Sequence, residues 1–215
     1  MKRLKAFAVG MILAAAGLMF YCGSFYITSY RQNKEAEENW KQIEQTAHTS
    51  EQTSEDHAVK QQKRKEKNKK QKIRESFGIS WENLGKINPR TVAWITVPGA
   101  DISYPVVQGD DDEFYLKHNF QDEEDLFGCI FLGKANRKDF SDSHSFLYGH
   151  NMQGNMMFAN LNRYEDPAYL EQCPEFEIIT PEKKYTYRIF SVEQAQEGST
   201  AFEYGYDLSG NAYRE

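Results

Sequence analysis

The chain has 215 residues, room for one ordinary domain plus accessory segments. Its net charge of −6 is divided unevenly: residues 1–75 carry 15 basic against 9 acidic side chains (+6), and residues 76–215 carry 11 against 23 (−12). An acidic domain behind a basic segment argues against nucleic-acid binding by that domain, since a phosphate backbone needs a positive face.

Lys2, Arg3 and Lys5 precede an apolar run at 6–27 that holds no charge, Asn or Gln. About 22 helical residues span roughly 33 Å, enough to cross a hydrocarbon core. The positive flank predicts residues 1–5 in the cytoplasm and everything beyond the anchor outside. A cleaved signal peptide is the competing reading, with Ala14-Ala15-Ala16 as its small-residue site, but that site lies inside the apolar run. Residues 28–75 read as a charged spacer: from 31 onward they lack Pro, Gly and a sustained apolar stripe, so they bury no core. Within it, residues 60–74 hold nine basic side chains against Glu66 alone, a solvated spacer or a contact for anionic lipid or wall polymer.

Composition changes at Ser76, where a domain spanning 76–215 begins. Phe77, Ile79, Trp81, Leu84 and Ile87 predict a short amphipathic helix ending before Pro89. The run 91–97 is rich in β formers and closes at Pro98-Gly99-Ala100-Asp101, so 102–107 is its hairpin partner. Residues 110–117 predict a helical turn or two, and 128–133 and 145–148 read as buried strands. Short helices fit 156–172, and a second hairpin joins 175–180 to 184–192 around Pro181-Glu182-Lys183. Many short strands with small helical insertions predict a mainly β fold, a β-barrel.

The sharpest chemical feature is Phe146-Leu147-Tyr148-Gly149-His150-Asn151, an apolar strand that runs into a glycine and a polar cluster. It puts an imidazole at a strand end, where the group meets solvent and substrate and suits proton transfer at neutral pH. A hydrogen-bonded loop histidine is the plainer reading of that residue alone. No metal site is expected. The spacing of His118, His144 and His150 fits no ligand motif, and the acidic run 110–113 lacks the glycine-punctuated alternation of a calcium loop. No phosphate-binding glycine loop and no Gly-x-Ser-x-Gly elbow is present. Cys22 lies in the anchor, while Cys129 and Cys173 read as two unrelated buried thiols, although both lie on the oxidising side and are able to pair.

Several passages together resemble the class B sortases, membrane-anchored cysteine transpeptidases of Gram-positive bacteria. They are Ile87-Asn88 through Val92-Ala93-Trp94-Ile95 with Val97-Pro98-Gly99; Ile102-Ser103-Tyr104-Pro105-Val106-Val107-Gln108; and Tyr115-Leu116-Lys117-His118-Asn119-Phe120. Gly128-Cys129-Ile130-Phe131-Leu132, Leu147-Tyr148-Gly149-His150-Asn151-Met152 and Met157-Phe158 complete the set. The resemblance runs from about Phe77 to Glu215 and implies a sortase β-barrel with N-terminal and inserted helices. It implies an active site of His, Cys and Arg, with no cofactor. The cysteine cleaves a surface-protein sorting signal resembling Asn-Pro-x-Thr-Asn, and an amine of a peptidoglycan precursor resolves the thioester. Carried to this chain, His150 is the acid/base, and Tyr148 and Leu116 line the peptide groove.

This sequence departs from the family pattern in one respect. The Thr-Leu-Ser/Thr-Thr-Cys strand and the arginine on the strand after it are not among residues 1–215, so the last strands are expected to be missing and this form inactive. Cys129 sits within an apolar run and Cys173 beside Glu171, Pro174 and Glu175; neither fits the nucleophile, and Arg163, Arg188 and Arg214 do not match the arginine. The alternative is a non-catalytic, membrane-anchored surface protein that keeps a partial sortase-like domain for binding.

Overall fold

The computed structural model describes residues 2–48, 77–151 and 154–193, with the side chains of 2–20 excepted. The chain divides into two compact units, 1–41 and 42–215. The described residues of the first are all helical, the larger part of helix α1 (Lys2–His48). Its outer turns carry a Glu37–Lys41 ion pair at 2.6 Å, one turn apart on the helix surface. The apolar run at 6–27 lies in this helix. Among the described residues no helix is long and apolar enough to cross a membrane, and most of the predicted span falls outside the described side chains.

The second unit opens with the last two turns of α1, residues 42–48. Ile43 and Ala47 are buried there, the Ala47 carbonyl accepts the Ser80 N–H at 2.5 Å, and the Thr46 carbonyl accepts the Asn83 side-chain amide at 3.2 Å. This corrects the expectation that residues 31–75 bury no core: two apolar residues four apart suffice to dock one helical turn. Helix α2 (Trp81–Ile87) starts where the Ser80 hydroxyl accepts the Asn83 N–H and buries Leu84 completely.

The core is a six-stranded sheet in the order β4-β3-β2-β1-β5-β6. Strands β1 (Thr91–Val97) and β2 (Ile102–Val107) form the expected hairpin, closed by a 3-10 turn (Pro98–Ala100) and by Asp101 in the left-handed region at φ 54°. Strand β1 is central and buried along most of its length; its Trp94 is 1% exposed and donates its indole N–H to Ser103 at 3.2 Å. The second hairpin, β5 (Glu175–Ile179) and β6 (Lys184–Arg188), attaches to β1 through β5. On the other side the chain crosses over from β2 to pair β3 (Phe131–Leu132) in parallel, and β4 (Leu147–Tyr148) returns antiparallel to β3. The runs at 128–133 and 145–148 thus contribute only two paired residues each, and the second is not the buried strand expected: Phe146 is buried, while Leu147 and Tyr148 are half-buried at the sheet edge. The rest of the first run is buried as loop against the crossover. Among the described residues β4 and β6 are edges, so the expected barrel is present as an open sheet.

Two connections matter for the site. The crossover 108–130 contains a 3-10 turn (Phe114–Leu116) at the place where one or two helical turns are expected. The connection 133–146 is organised by two buried amides: Gln108 donates to the Gly133 and Asn136 carbonyls at 2.8 Å each, and Asn136 receives the Phe146 N–H at 2.9 Å. Buried polar groups satisfied in this way set the register of β3 and β4. After β4, a 3-10 segment (Ala159–Glu165) and helix α3 (Pro167–Gln172) fill the predicted helical stretch.

Candidate active site

His150 stands two residues beyond β4, half-buried. The preceding glycine is a packing requirement. A Cβ on Gly149 would lie 2.8 Å from the Phe158 ring and 3.2 Å from Ile130. The His150 carbonyl accepts the Phe158 N–H at 3.0 Å, and Asn151 bridges to Met157, so the chain beyond the strand folds back on itself at once. Asn151 and Asn162 exchange side-chain amide bonds at 3.1 and 3.2 Å and tie this return to the 3-10 segment.

The imidazole Nε2 lies 2.7 Å from the Leu116 carbonyl oxygen. A carbonyl only accepts, so Nε2 carries the hydrogen, and in the neutral ring Nδ1 is the unprotonated nitrogen. Leu116 therefore meets His150 through its backbone.

That backbone is held firmly. The Asp111 carboxylate accepts the Phe114 and Glu113 N–H groups at 2.7 and 2.9 Å, and these bonds hold its pKa below the usual carboxylate range. The Tyr115 carbonyl accepts the Cys129 N–H at 2.9 Å. Gly128, at φ 60°, lets this contact form: a Cβ there would sit 2.4 Å from the Tyr115 oxygen and 3.0 Å from the Leu116 oxygen. Tyr148 pairs with Phe131 across the strands and stacks on its ring with centroids 5.1 Å apart. The structure thus gathers His150 and Leu116 directly and places Tyr148 on the strand that leads into them.

The cysteines lie elsewhere. Cys129 is buried, and burial pushes its thiol far up, away from any useful thiolate population. Cys173 is half-buried at the C-terminal cap of α3, against Gly99, where the Tyr164 hydroxyl also packs. Both are free thiols. Arg163 clamps the β1–β2 turn, donating to Asp101 at 2.8 Å and to the Gly99 carbonyl at 3.3 Å, and Tyr169 donates to the same carbonyl. Among the described residues no cluster of three or more metal-ligating side chains occurs. Residues 194–215, which include Arg214, lie outside the described structure.

Sequence reading missed the hydrogen bond on His150, because a backbone carbonyl belongs to every residue and leaves no compositional trace. It also missed Asp111 as a cap, although Asp three residues before an aromatic turn is a legible signal.

The profile of the sortase domain matches residues 95–208, more than half of the chain, and the chain belongs to the sortase family. Within that family it falls in class B. It is 36% identical over 122 residues to sortase B of Listeria monocytogenes, an alignment covering 57% of this chain and 48% of that protein. The Staphylococcus aureus sortase B–substrate complex superposes with a TM-score of 0.58 at 27% identity, covering 75% of this chain and 66% of that one. The X-ray structure of Clostridium perfringens sortase B superposes at 0.50 with 39% identity, covering 52% and 61%. The chain spans about half the length of the curated relatives it matches.

Proposed function

We propose that this protein serves a class B transpeptidation: a sorting signal of a surface protein is cleaved, held as a cysteine thioester, and joined to an amine of a cell-wall precursor. His150 moves the protons. The observation that carries the reading is the Leu116 carbonyl 2.7 Å from Nε2, which fixes one tautomer and leaves Nδ1 for the reacting amines. In the first step the thiolate bonds to the carbonyl carbon, and the C–N bond breaks as the imidazolium protonates the leaving amine. In the second step the acceptor amine attacks the thioester, gives its proton to the imidazole and releases the thiolate. Neither Cys129 nor Cys173 is the nucleophile, and Arg163 is not the oxyanion guanidinium. Residues 1–215 by themselves then bind the signal peptide and form no thioester.

The same reading puts the domain outside the cell, held by the apolar run 6–27 as a single span with residues 1–5 in the cytoplasm. Tyr21, Phe25, Tyr26 and Tyr30 expose their rings at the end of that run, as residues of a headgroup belt do.

The test titrates isotope-labelled protein in detergent with a peptide of the Asn-Pro-x-Thr-Asn type and follows the intact mass. The expected result is resonance shifts at Tyr148, Leu116 and His150 with no covalent adduct. Peptide binding that leaves these three unmoved would sink the groove assignment, and an adduct on Cys129 or Cys173 would sink the nucleophile assignment. Extraction of the protein from membranes by alkaline carbonate would sink the anchor.

A further inference from the structure

The His150 bond is the end of a longer polar chain that begins at Asn88, the C-terminal cap of α2. Asn88 is 1% exposed, and its side-chain amide donates to three oxygens: the Tyr115 hydroxyl at 3.1 Å, the Phe120 carbonyl at 2.9 Å and the Asp122 carboxylate at 3.1 Å. The Tyr115 hydroxyl in turn donates to Asp122 at 2.9 Å. On its other side the Asn88 amide oxygen accepts the Arg90 N–H at 2.8 Å. One buried side chain therefore ties both ends of the loop 115–122 to the start of β1. Tyr115, buried at 1% exposure, is bonded directly to the residue whose carbonyl holds His150.

We propose that Asn88 is a positioning residue for His150: by fixing the loop 115–122 it fixes the Leu116 carbonyl, and that carbonyl fixes the imidazole tautomer. Two amide hydrogens facing three oxygens specify one loop conformation, because any other leaves a buried acceptor or donor without a partner. The inference rests on the reading of His150 as the acid/base, but it concerns an atom that can be observed without any reaction.

The experiment records ring-nitrogen spectra of the full chain labelled at histidine, with the His150 signals assigned through His150→Gln. The wild-type neutral ring is expected in the Nε2–H form alone. Asn88→Ala is expected to give a mixture of both tautomers. Leu84→Ala is the control: it empties a fully buried site on the same helix without removing a side chain of the polar network, and it should leave the tautomer unchanged. If Asn88→Ala does not fold, Tyr115→Phe, which deletes only the hydroxyl, carries the test and is expected to shift the same signals by a smaller amount. A single unchanged tautomer in the folded Asn88 variant, or in Tyr115→Phe where that variant carries the test, overturns the proposal. An equal change in Leu84→Ala overturns it as well. Peptide binding is read separately. A tautomer that follows Asn88 in a protein that binds no signal peptide would retain the positioning role and remove the proposed function.

Discussion

At the scale of single residues, the site depends on groups that hold backbone atoms. Asp111 is the exposed one. Its carboxylate caps the turn that presents Leu116, and the two N–H bonds lower its pKa in the folded state. A depressed carboxylate contributes stability that is complete above its unfolded value of about 4 and is lost as pH falls through the lower folded value. Asn caps as well as Asp but carries no charge. Asp111→Asn should therefore melt below the wild type at pH 7, and the two melting curves should converge in acid. A gap that stays constant from neutral pH down to about pH 2 would show that the charge plays no part.

At the scale of elements, β4 is only two residues long, so its position depends on what surrounds it. Gly149 is the tightest point: the ring of Phe158 and the side chain of Ile130 occupy the space a Cβ would take. Gly149→Ala is expected to cost about 1–3 kcal/mol, the range for overpacking a filled site, read as a lowered urea midpoint with an unchanged slope. The hairpins β1–β2 and β5–β6 were legible in the sequence, since alternation and a Pro- or Gly-bearing turn specify antiparallel neighbours locally. Strands β3 and β4 were legible only as apolar runs. Which two residues of each run pair is decided by Gln108 and Asn136, which hold the connecting loop from inside.

At the scale of the whole molecule, the spacer and the domain are less separate than composition implies. Ile43 is 2% exposed and Ala47 is fully buried, and His48 meets the domain through the Gly78 carbonyl at 2.7 Å and an edge-on contact with Trp94. Ile43→Ala is expected to destabilise the domain by about 2–4 kcal/mol, the range for emptying a buried aliphatic site. A change within about 0.5 kcal/mol in chemical denaturation would return residues 42–48 to the solvated spacer. The acidic balance of 76–215 and the basic tract at 60–74 are properties of the sequence that no packing alters.

The sequence by itself determined the mainly β class, the two hairpins, the family and the prominence of His150, because each is written in short-range pattern or in motif. Only the tertiary structure decided that Leu116 meets His150 through its carbonyl, that the Asn88 amide bonds the loop carrying that carbonyl, and that the end of α1 belongs to the core. Those contacts join residues about thirty positions apart, as in the 34-residue separation of His150 from Leu116 and the 32-residue separation of Asn88 from Phe120. They run through backbone atoms or through a single amide, and neither leaves a periodicity for the sequence to display.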